Sequence, residues 1–268
     1  MNNSNKIGTH QARKRFGQNF LVDKNIIDLI IKEIKPKQDD NLIEIGAGLG
    51  AITAPLLKGC TGLKIIELDR DLVLFLKKKF REYDGCDIQQ GNVLEVDFKE
   101  LAENEQSMRI VGNLPYNITT PLLFHLLSFH EYISDMYFML QKEVVDRISS
   151  SPGTKSYGRL SIMVQYYCSV HPLFIVPPSS FAPSPKVDSM MVLLRPHTEI
   201  PYAAKNLVFF AKLVRTCFQQ RRKTIRNSIK LLLPEKYIKQ LNIDLTLRPE
   251  KFSVEQFVKL SNQMSELI

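Results

Sequence analysis

Asn41-Leu-Ile-Glu-Ile-Gly-Ala-Gly-Leu-Gly50 is the stretch that decides the fold. Residues 41–45 form a short β-type run, and glycines at 46, 48 and 50 turn it sharply into a helical pattern through about Lys58. That is the strand–turn–helix entry of a βαβ unit. Glycine at such a turn lets the backbone bend tightly and approach a ligand with no Cβ in the way.

The same alternation extends outward on the C-terminal side. Leu63 to Glu67 reads as a second strand, and Asp71 to Phe80 as a helix with Leu72, Leu76 and Phe80 on one stripe. Residues 86–90 and 108–112 read as further strands, 121–127 as a helix and 136–140 as a fifth strand. Helices around 144–149 and 158–167 flank a Ser/Pro/Gly break at 149–153. Two late strands, about 170–176 and 190–195, enclose a Pro-rich loop from Pro177 to Pro185. After Pro196 the strand alternation stops, and apolar residues such as Leu207, Phe210, Leu213, Val214 and Phe218 recur at helical spacing. The pattern predicts an α/β domain over 1–200, with an N-terminal segment 1–24, and a small basic helical domain over 201–268. The boundary falls near 196–202.

Composition narrows the function classes. The 268 residues are 44% hydrophobic and 24% charged, which is ordinary globular usage. No apolar run approaches the ~18 residues of a membrane span, and Met1 to His10 is polar rather than signal-like. Cys60, Cys86, Cys168 and Cys217 are scattered, which reads as reduced thiols in a cytoplasmic protein. The five histidines, at 10, 125, 130, 171 and 197, have no ligand spacing, so no metal is expected. The net charge of +8 is unevenly placed. Residues 195–268 hold 14 Lys+Arg against 6 Asp+Glu, while the first 194 residues hold 22 of each sign. Within that neutral part, Lys6, Arg13, Lys14, Arg15 and Lys24 face only Asp23 in the first 24 residues. A polyanion held by both ends of the chain is a natural partner for this distribution.

The glycine turn has the form G-x-G-x-G, at Gly46, Gly48 and Gly50, and Glu44 precedes it. Dinucleotide enzymes use G-x-G-x-x-G to cradle a pyrophosphate. Glu67 ends the next strand, where a carboxylate can accept hydrogen bonds from both hydroxyls of a ribose. A ribose without a pyrophosphate points to S-adenosylmethionine. A tight turn with no ligand and a nicotinamide enzyme are the alternatives to that reading.

Asn113-Leu-Pro-Tyr116 follows the fourth strand, at the carboxyl edge where such sheets bind ligands. As a bare tetrapeptide it is a strand-ending turn. After a cofactor turn it has a chemical meaning, because the N6 amine of adenine is a poor nucleophile whose lone pair is delocalised into the ring. The Asn113 side-chain oxygen and the Leu114 carbonyl can accept its two hydrogens and favour a pyramidal nitrogen. Pro115 stiffens the loop, and Tyr116 offers a face on which an extruded base stacks, worth ~1–3 kcal/mol. The densest basic run is Arg221-Arg222-Lys223 with Arg226 and Lys230, and helical spacing puts Arg222, Arg226 and Lys230 on one face. Phosphate binding is the expected role, against the alternative of a solvated helix face.

With these residues in view, the chain resembles the ribosomal RNA adenine dimethyltransferase family. The likeness runs from Lys14-Arg-Phe-Gly-Gln-Asn-Phe-Leu21, through Gly46–Gly50, Glu67, Asn113–Tyr116 and Phe181-Ala-Pro-Ser-Pro-Lys-Val-Asp-Ser189, to Gln219-Gln-Arg-Arg-Lys-Thr-Ile-Arg-Asn-Ser-Ile229. It implies a Rossmann-like S-adenosylmethionine-dependent fold with a mostly parallel seven-stranded sheet and a C-terminal helical domain. It implies that Gln18, Asn19 and Leu21 reach the cofactor from the N-terminal segment, that Asn113 serves at the junction of cofactor and substrate and binds both, and that Phe181 stacks on the target adenine opposite Tyr116. The implied product is N6,N6-dimethyladenine at two adjacent adenines near the 3′ end of small-subunit rRNA, made on an immature small-subunit particle. The sequence carries no dimer signal, so a monomer is expected.

One position departs from the family pattern. Asn92 stands where the family usually has an aspartate that accepts from the cofactor's adenine amine. The resemblance thus implies a neutral acceptor there and cofactor binding weaker by about 1 kcal/mol. Two other readings remain beside the enzyme: an assembly factor whose catalysis is secondary or lost, and a related methyltransferase that modifies large-subunit rRNA. The Phe181–Ser189 segment fits the small-subunit enzymes better.

Overall fold

The computed structural model describes residues 6–7, 10–11, 18–220 and 222–267. Two short strands, β1 (Lys6–Ile7) and β2 (His10–Gln11), pair with each other. Then come β3 (Phe20–Leu21), α1 (Lys24–Ile34), β4 (Asn41–Ile45), α2 (Thr53–Gly59), β5 (Leu63–Glu67), α3 (Arg70–Lys79), β6 (Cys86–Gln90), β7 (Met108–Asn113) and α4 (Thr119–Leu127). They are followed by β8 (Ile133–Gln141), α5 (Lys142–Ile148), α6 (Arg159–Tyr167), β9 (Cys168–Val176), β10 (Phe181–Ala182) and β11 (Ser189–Pro196). The last part holds α7 (Leu207–Gln219), α8 (Ile225–Ile229), α9 (Glu235–Ile238) and α10 (Val254–Ser265).

Seven strands form one sheet in the order β6-β5-β4-β7-β8-β11-β9. The pairs β6–β5, β5–β4, β4–β7 and β7–β8 are parallel, and β11 runs antiparallel to β8. All five residues of β4 are buried, as expected of a parallel strand covered on both faces. Ile43 and Ile65 on the sheet and Ile30, Leu56 and Leu76 on the helices are fully buried, each worth about 1.5–3 kcal/mol. Aspartates start two of the helices. Asp23 accepts from the Asn25 and Ile26 N–H groups of α1, and Asp69 from the Asp71 N–H of α3. From β4 the chain moves to β5 and β6 on one side, then returns to β7 and β8 on the other. This reversal of strand order at β4 opens a crevice at the carboxyl ends of β4 and β7, where such sheets bind ligands.

The chain divides into two compact units, one of residues 1–145 and 171–196, the other of residues 146–170 and 197–268. The sequence reading drew a single boundary near 196–202, so residues 146–170, with α6, stand with the helical unit here. No composition shift marks 146–170, because α6 is apolar enough to pass for another helix of the sheet domain. The second unit has a core of its own, in which Phe210, Leu213, Val214, Phe252, Phe257 and Leu260 are fully buried. It carries 16 Lys+Arg against 7 Asp+Glu, whereas the first unit carries 20 against 21.

The expected single helical face at 222–230 is not present. Helix α7 ends at Gln219, and α8 spans only Ile225–Ile229, so Arg222 precedes the helix and Lys230 caps it. The cause lies in the backbone. The Ile225 N–H donates to the Leu247 carbonyl (2.8 Å) and the Arg226 N–H to the Leu245 carbonyl (3.0 Å). Thr224 is extended at φ −69°, ψ 160°, which breaks the helical run that sequence spacing alone implies. Among the described residues, no helix is long and apolar enough to cross a membrane, and no cluster of three or more His, Cys, Asp or Glu could hold a metal.

Candidate active site

The carboxyl ends of β4, β5 and β7 open onto one cleft. The glycine turn, Glu67, residues 91–93 and residues 113–118 line it, together with Gln18 to Leu21 from the N-terminal segment. Gly48 sits at φ +59°, and its N–H donates to Glu67 Oε2 at 3.1 Å. A Cβ at this position would lie 3.1 Å from the Phe20 ring, so both backbone conformation and space require glycine. At Gly50 (φ +73°) a Cβ would meet the Phe80 ring at 2.7 Å. Lys79 fixes the turn from outside, donating from Nζ to the Leu49 carbonyl at 2.7 Å.

Two carboxylates occupy this end of the cleft. Glu67 accepts from Gly48 N–H through one oxygen and from Asp69 N–H (3.0 Å) through the other. Each oxygen keeps a lone pair for a ligand. Burial raises the Glu67 pKa above 4.5, and the backbone N–H bonds from Asp69 and Gly48 oppose that rise. Glu44 is deeper, 2% exposed, and accepts from Thr53 Oγ1 at 2.6 Å. Burial pushes its pKa up to about 7, with the Thr53 bond acting against it. Among the described residues, the cleft lining holds these two acids and no Lys or Arg. The two carboxylates suit a ribose and a cationic sulfonium.

The other end of the cleft is the 113–116 loop. Asn113 Nδ2 donates to the Asn19 carbonyl (3.1 Å), which fixes which end of the amide is oxygen. Leu114 N–H donates to the Met139 carbonyl at 3.2 Å, and the Pro115 carbonyl accepts from Thr119 Oγ1 at 3.1 Å. The Tyr116 hydroxyl meets Ser189 Oγ at 2.9 Å, which tethers the far end of the ring. The N-terminal segment is laced to the same region. Gln18 Nε2 donates to Asp69 Oδ2 (3.1 Å), β3 pairs with β10, and Ser180 Oγ donates to Asp23 Oδ2 (3.1 Å).

The cleft therefore brings together Gln18, Asn19, Leu21, Glu44, Gly46, Gly48, Glu67, Asn92 and Asn113–Tyr116. Phe181 is not in its lining. It faces Leu21 across the β3–β10 pair, is 4% exposed and packs in the apolar core. Arg222, Lys223, Arg226 and Lys230 are exposed in the second unit, and Arg221 lies outside the described residues. Sequence reasoning missed Thr53, Asp69, Lys79 and Ser189. An aspartate just before α3 is a helix-start signal that could have found Asp69. The others act through tertiary bonds that leave no local pattern.

The model of the ribosomal RNA adenine dimethylases matches residues 9–266. The chain belongs to that family. It is 53% identical over 262 residues to the ribosomal RNA small subunit methyltransferase A of Saccharophagus degradans, covering 98% of each chain. The protein of that name from Hahella chejuensis is 51% identical over 253 residues, covering 94% of this chain and 93% of its own. Among solved structures, a dimethyladenosine transferase from Plasmodium falciparum superposes with a TM-score of 0.79 at 27% identity, covering 92% of this chain and 98% of its own. The 23S rRNA methyltransferase ErmE, at a TM-score of 0.69 and 22% identity over 92% of this chain and 100% of its own, shares the fold. The member of the dimethylase family described here is thus an S-adenosylmethionine-dependent enzyme that dimethylates adenine in ribosomal RNA.

Proposed function

We propose that the enzyme methylates N6 of two adjacent adenines near the 3′ end of small-subunit rRNA, on an immature particle in the cytoplasm, and that it works as a monomer. The observation that carries the chemistry is the Asn113–Asn19 bond, which presents a fixed amide at the edge of the cleft that holds Glu67. Glu67 takes the ribose hydroxyls, Asn92 takes the cofactor's adenine amine, and Gln18, Asn19 and Leu21 close over the same ligand. Bound in this way, S-adenosylmethionine supplies an electrophilic methyl group carried on a sulfonium.

The chain's own part is orientation and electrostatics. Asn113 Oδ1 and the Leu114 carbonyl accept the hydrogens of the target amine and turn its lone pair towards the methyl group. Tyr116, its hydroxyl tethered by Ser189, stacks on the extruded base. Phe181 supplies the second face after its ring turns out of the core beside Leu21. The basic residues Arg221, Arg222, Lys223, Arg226 and Lys230 hold RNA phosphates.

The test is methylation of small-subunit particles from a strain that lacks the modification, followed by mass mapping. Two dimethylated adenines near the 3′ end are expected. Methylation of large-subunit rRNA instead, or transfer that Asn113→Ala leaves unchanged, overturns the reading.

A further inference from the structure

Asn92 occupies the cleft between Gly91 and Val93, and both ends of its amide are committed. Its Oδ1 accepts from the Leu94 N–H at 3.2 Å, closing a one-turn cap, and its Nδ2 donates to Glu95 Oε1 at 2.8 Å. An N–H on one side and a carboxylate on the other leave a single assignment of oxygen and nitrogen. Turned over, the amide would set its oxygen against the Glu95 carboxylate and its nitrogen against the Leu94 N–H. The amide oxygen keeps one lone pair, and a carboxylate, which an aspartate would bring here, has no orientation to lose.

We propose that Glu95 is a positioning residue for the cofactor's purine, holding the Asn92 amide so that its oxygen and not its nitrogen meets the ring's exocyclic amine. This rests on the reading that the Asn92 side of the cleft takes the cofactor's adenine. An amide that could turn freely would accept from adenine in one orientation and donate to a 6-oxo purine in the other. A fixed one rejects the 6-oxo ring, because two acceptors then face each other across a half-buried side chain. Glu95 is exposed and belongs to no core, so its replacement tests orientation without disturbing the fold.

The experiment is calorimetric binding of S-adenosylhomocysteine and of its 6-oxo counterpart, S-inosylhomocysteine, to the parent, Glu95→Ala, Glu95→Gln and Asn92→Asp/Glu95→Ala. The parent is expected to prefer the adenosyl ligand at least tenfold, roughly the weight of one hydrogen bond and one unpaired acceptor. Glu95→Ala should cut that preference about fivefold, mainly through tighter binding of the inosyl ligand. Glu95→Gln, which keeps an acceptor for Nδ2, should retain the parent's ratio, and the double variant should regain it. An unchanged ratio in Glu95→Ala, or an equal loss in Glu95→Gln, overturns the proposal, the second outcome because charge and not orientation would be at work. A parent that binds neither ligand overturns the cofactor reading itself. A parent that binds both equally overturns the role of Asn92 alone.

Discussion

The cleft of the first unit and the basic segment of the second hold their charges in opposite ways. In the cleft each polar side chain is anchored by a partner: Glu67 by two N–H groups, Glu44 by Thr53, Asn113 by the Asn19 carbonyl, Tyr116 by Ser189. In the segment 222–230 the cations are exposed, and the ion pairs they make are with exposed Glu235. The difference fits the tasks proposed for the two regions. Turning one amine lone pair onto one methyl group needs acceptors fixed in advance, because reorganisation during the reaction adds to the barrier. Neutralising phosphates needs charge within a Debye length, and mobile side chains supply it. Substitutions in the cleft should therefore cost far more than substitutions in the segment.

The steepest loss is expected at Asn113. Replacing it by Ala removes one of the two acceptors proposed for the target amine, and the methyl-transfer rate in a single turnover should fall by about 10²–10³. Binding of S-adenosylhomocysteine should change by no more than a few-fold. If affinity fell as far as rate, Asn113 would be holding the cofactor instead of the amine, and the division of the cleft into two ends would be wrong.

Glu67→Ala should show the reverse split. Losing the ribose hydrogen bonds to a charged acceptor costs about 1.5–3 kcal/mol, so S-adenosylhomocysteine should bind roughly 10–100-fold more weakly by calorimetry. The Gly48 and Asp69 N–H groups lose their acceptor as well, so the melting temperature should also drop. A variant that binds the cofactor like the parent would remove Glu67 from the site.

Glu44 gives a prediction in stability rather than rate. Burial pushes its pKa up to about 7 in the folded protein, against 4.5 for an ordinary glutamate carboxyl. The unfolded chain therefore ionises first. The stability that a protonated Glu44 allows is fully present below about pH 4.5 and is lost as pH rises towards 7. Glu44→Gln, which can still accept from Thr53, should lack this fall and exceed the parent at pH 8 by about 1–3 kcal/mol. Melting curves at pH 5 and pH 8 measure it. Parallel curves for the two proteins would mean that Glu44 is already ionised in the fold.

These outcomes rest on residues that were unequally legible in the sequence. Glu44, Gly46, Gly48 and Glu67 were readable because each answers a backbone demand: a strand end, a turn with positive φ, and a carboxylate at the next strand end. The strands β4 and β5 were equally plain, since parallel strands buried on both faces leave apolar runs. The β3–β10 pair was not legible, because two residues carry no alternation. The anchors Thr53 and Ser189 were invisible for a related reason, as each meets its partner only after folding. Phe181 entered through family likeness alone, and its burial beside Leu21 shows how little a motif says about the state of a side chain. The helix break at Thr224 depends on backbone partners at Leu245 and Leu247, some twenty residues on, which spacing within 222–230 cannot contain.

That break leads to the smallest effect, a difference within the basic segment itself. Arg226 and Lys230 both pair with Glu235, the latter at 3.3 Å. Arg222 stands before the helix, exposed, with no ion-pair partner among the described residues. An exposed pair is worth only about 0–1 kcal/mol, yet RNA must compete with it for the cation. Arg222→Ala should thus weaken RNA binding several-fold and lower the salt slope by about one. Arg226→Ala should do less, because it also frees Glu235 to draw on Lys230 alone. Glu235→Gln should tighten RNA binding and steepen the slope, releasing both cations at once. Anisotropy titrations across a salt series separate the cases. Equal losses for Arg222→Ala and Arg226→Ala, with Glu235→Gln unchanged, would show that the ion pairs do not matter and that the segment binds as one undivided patch of charge.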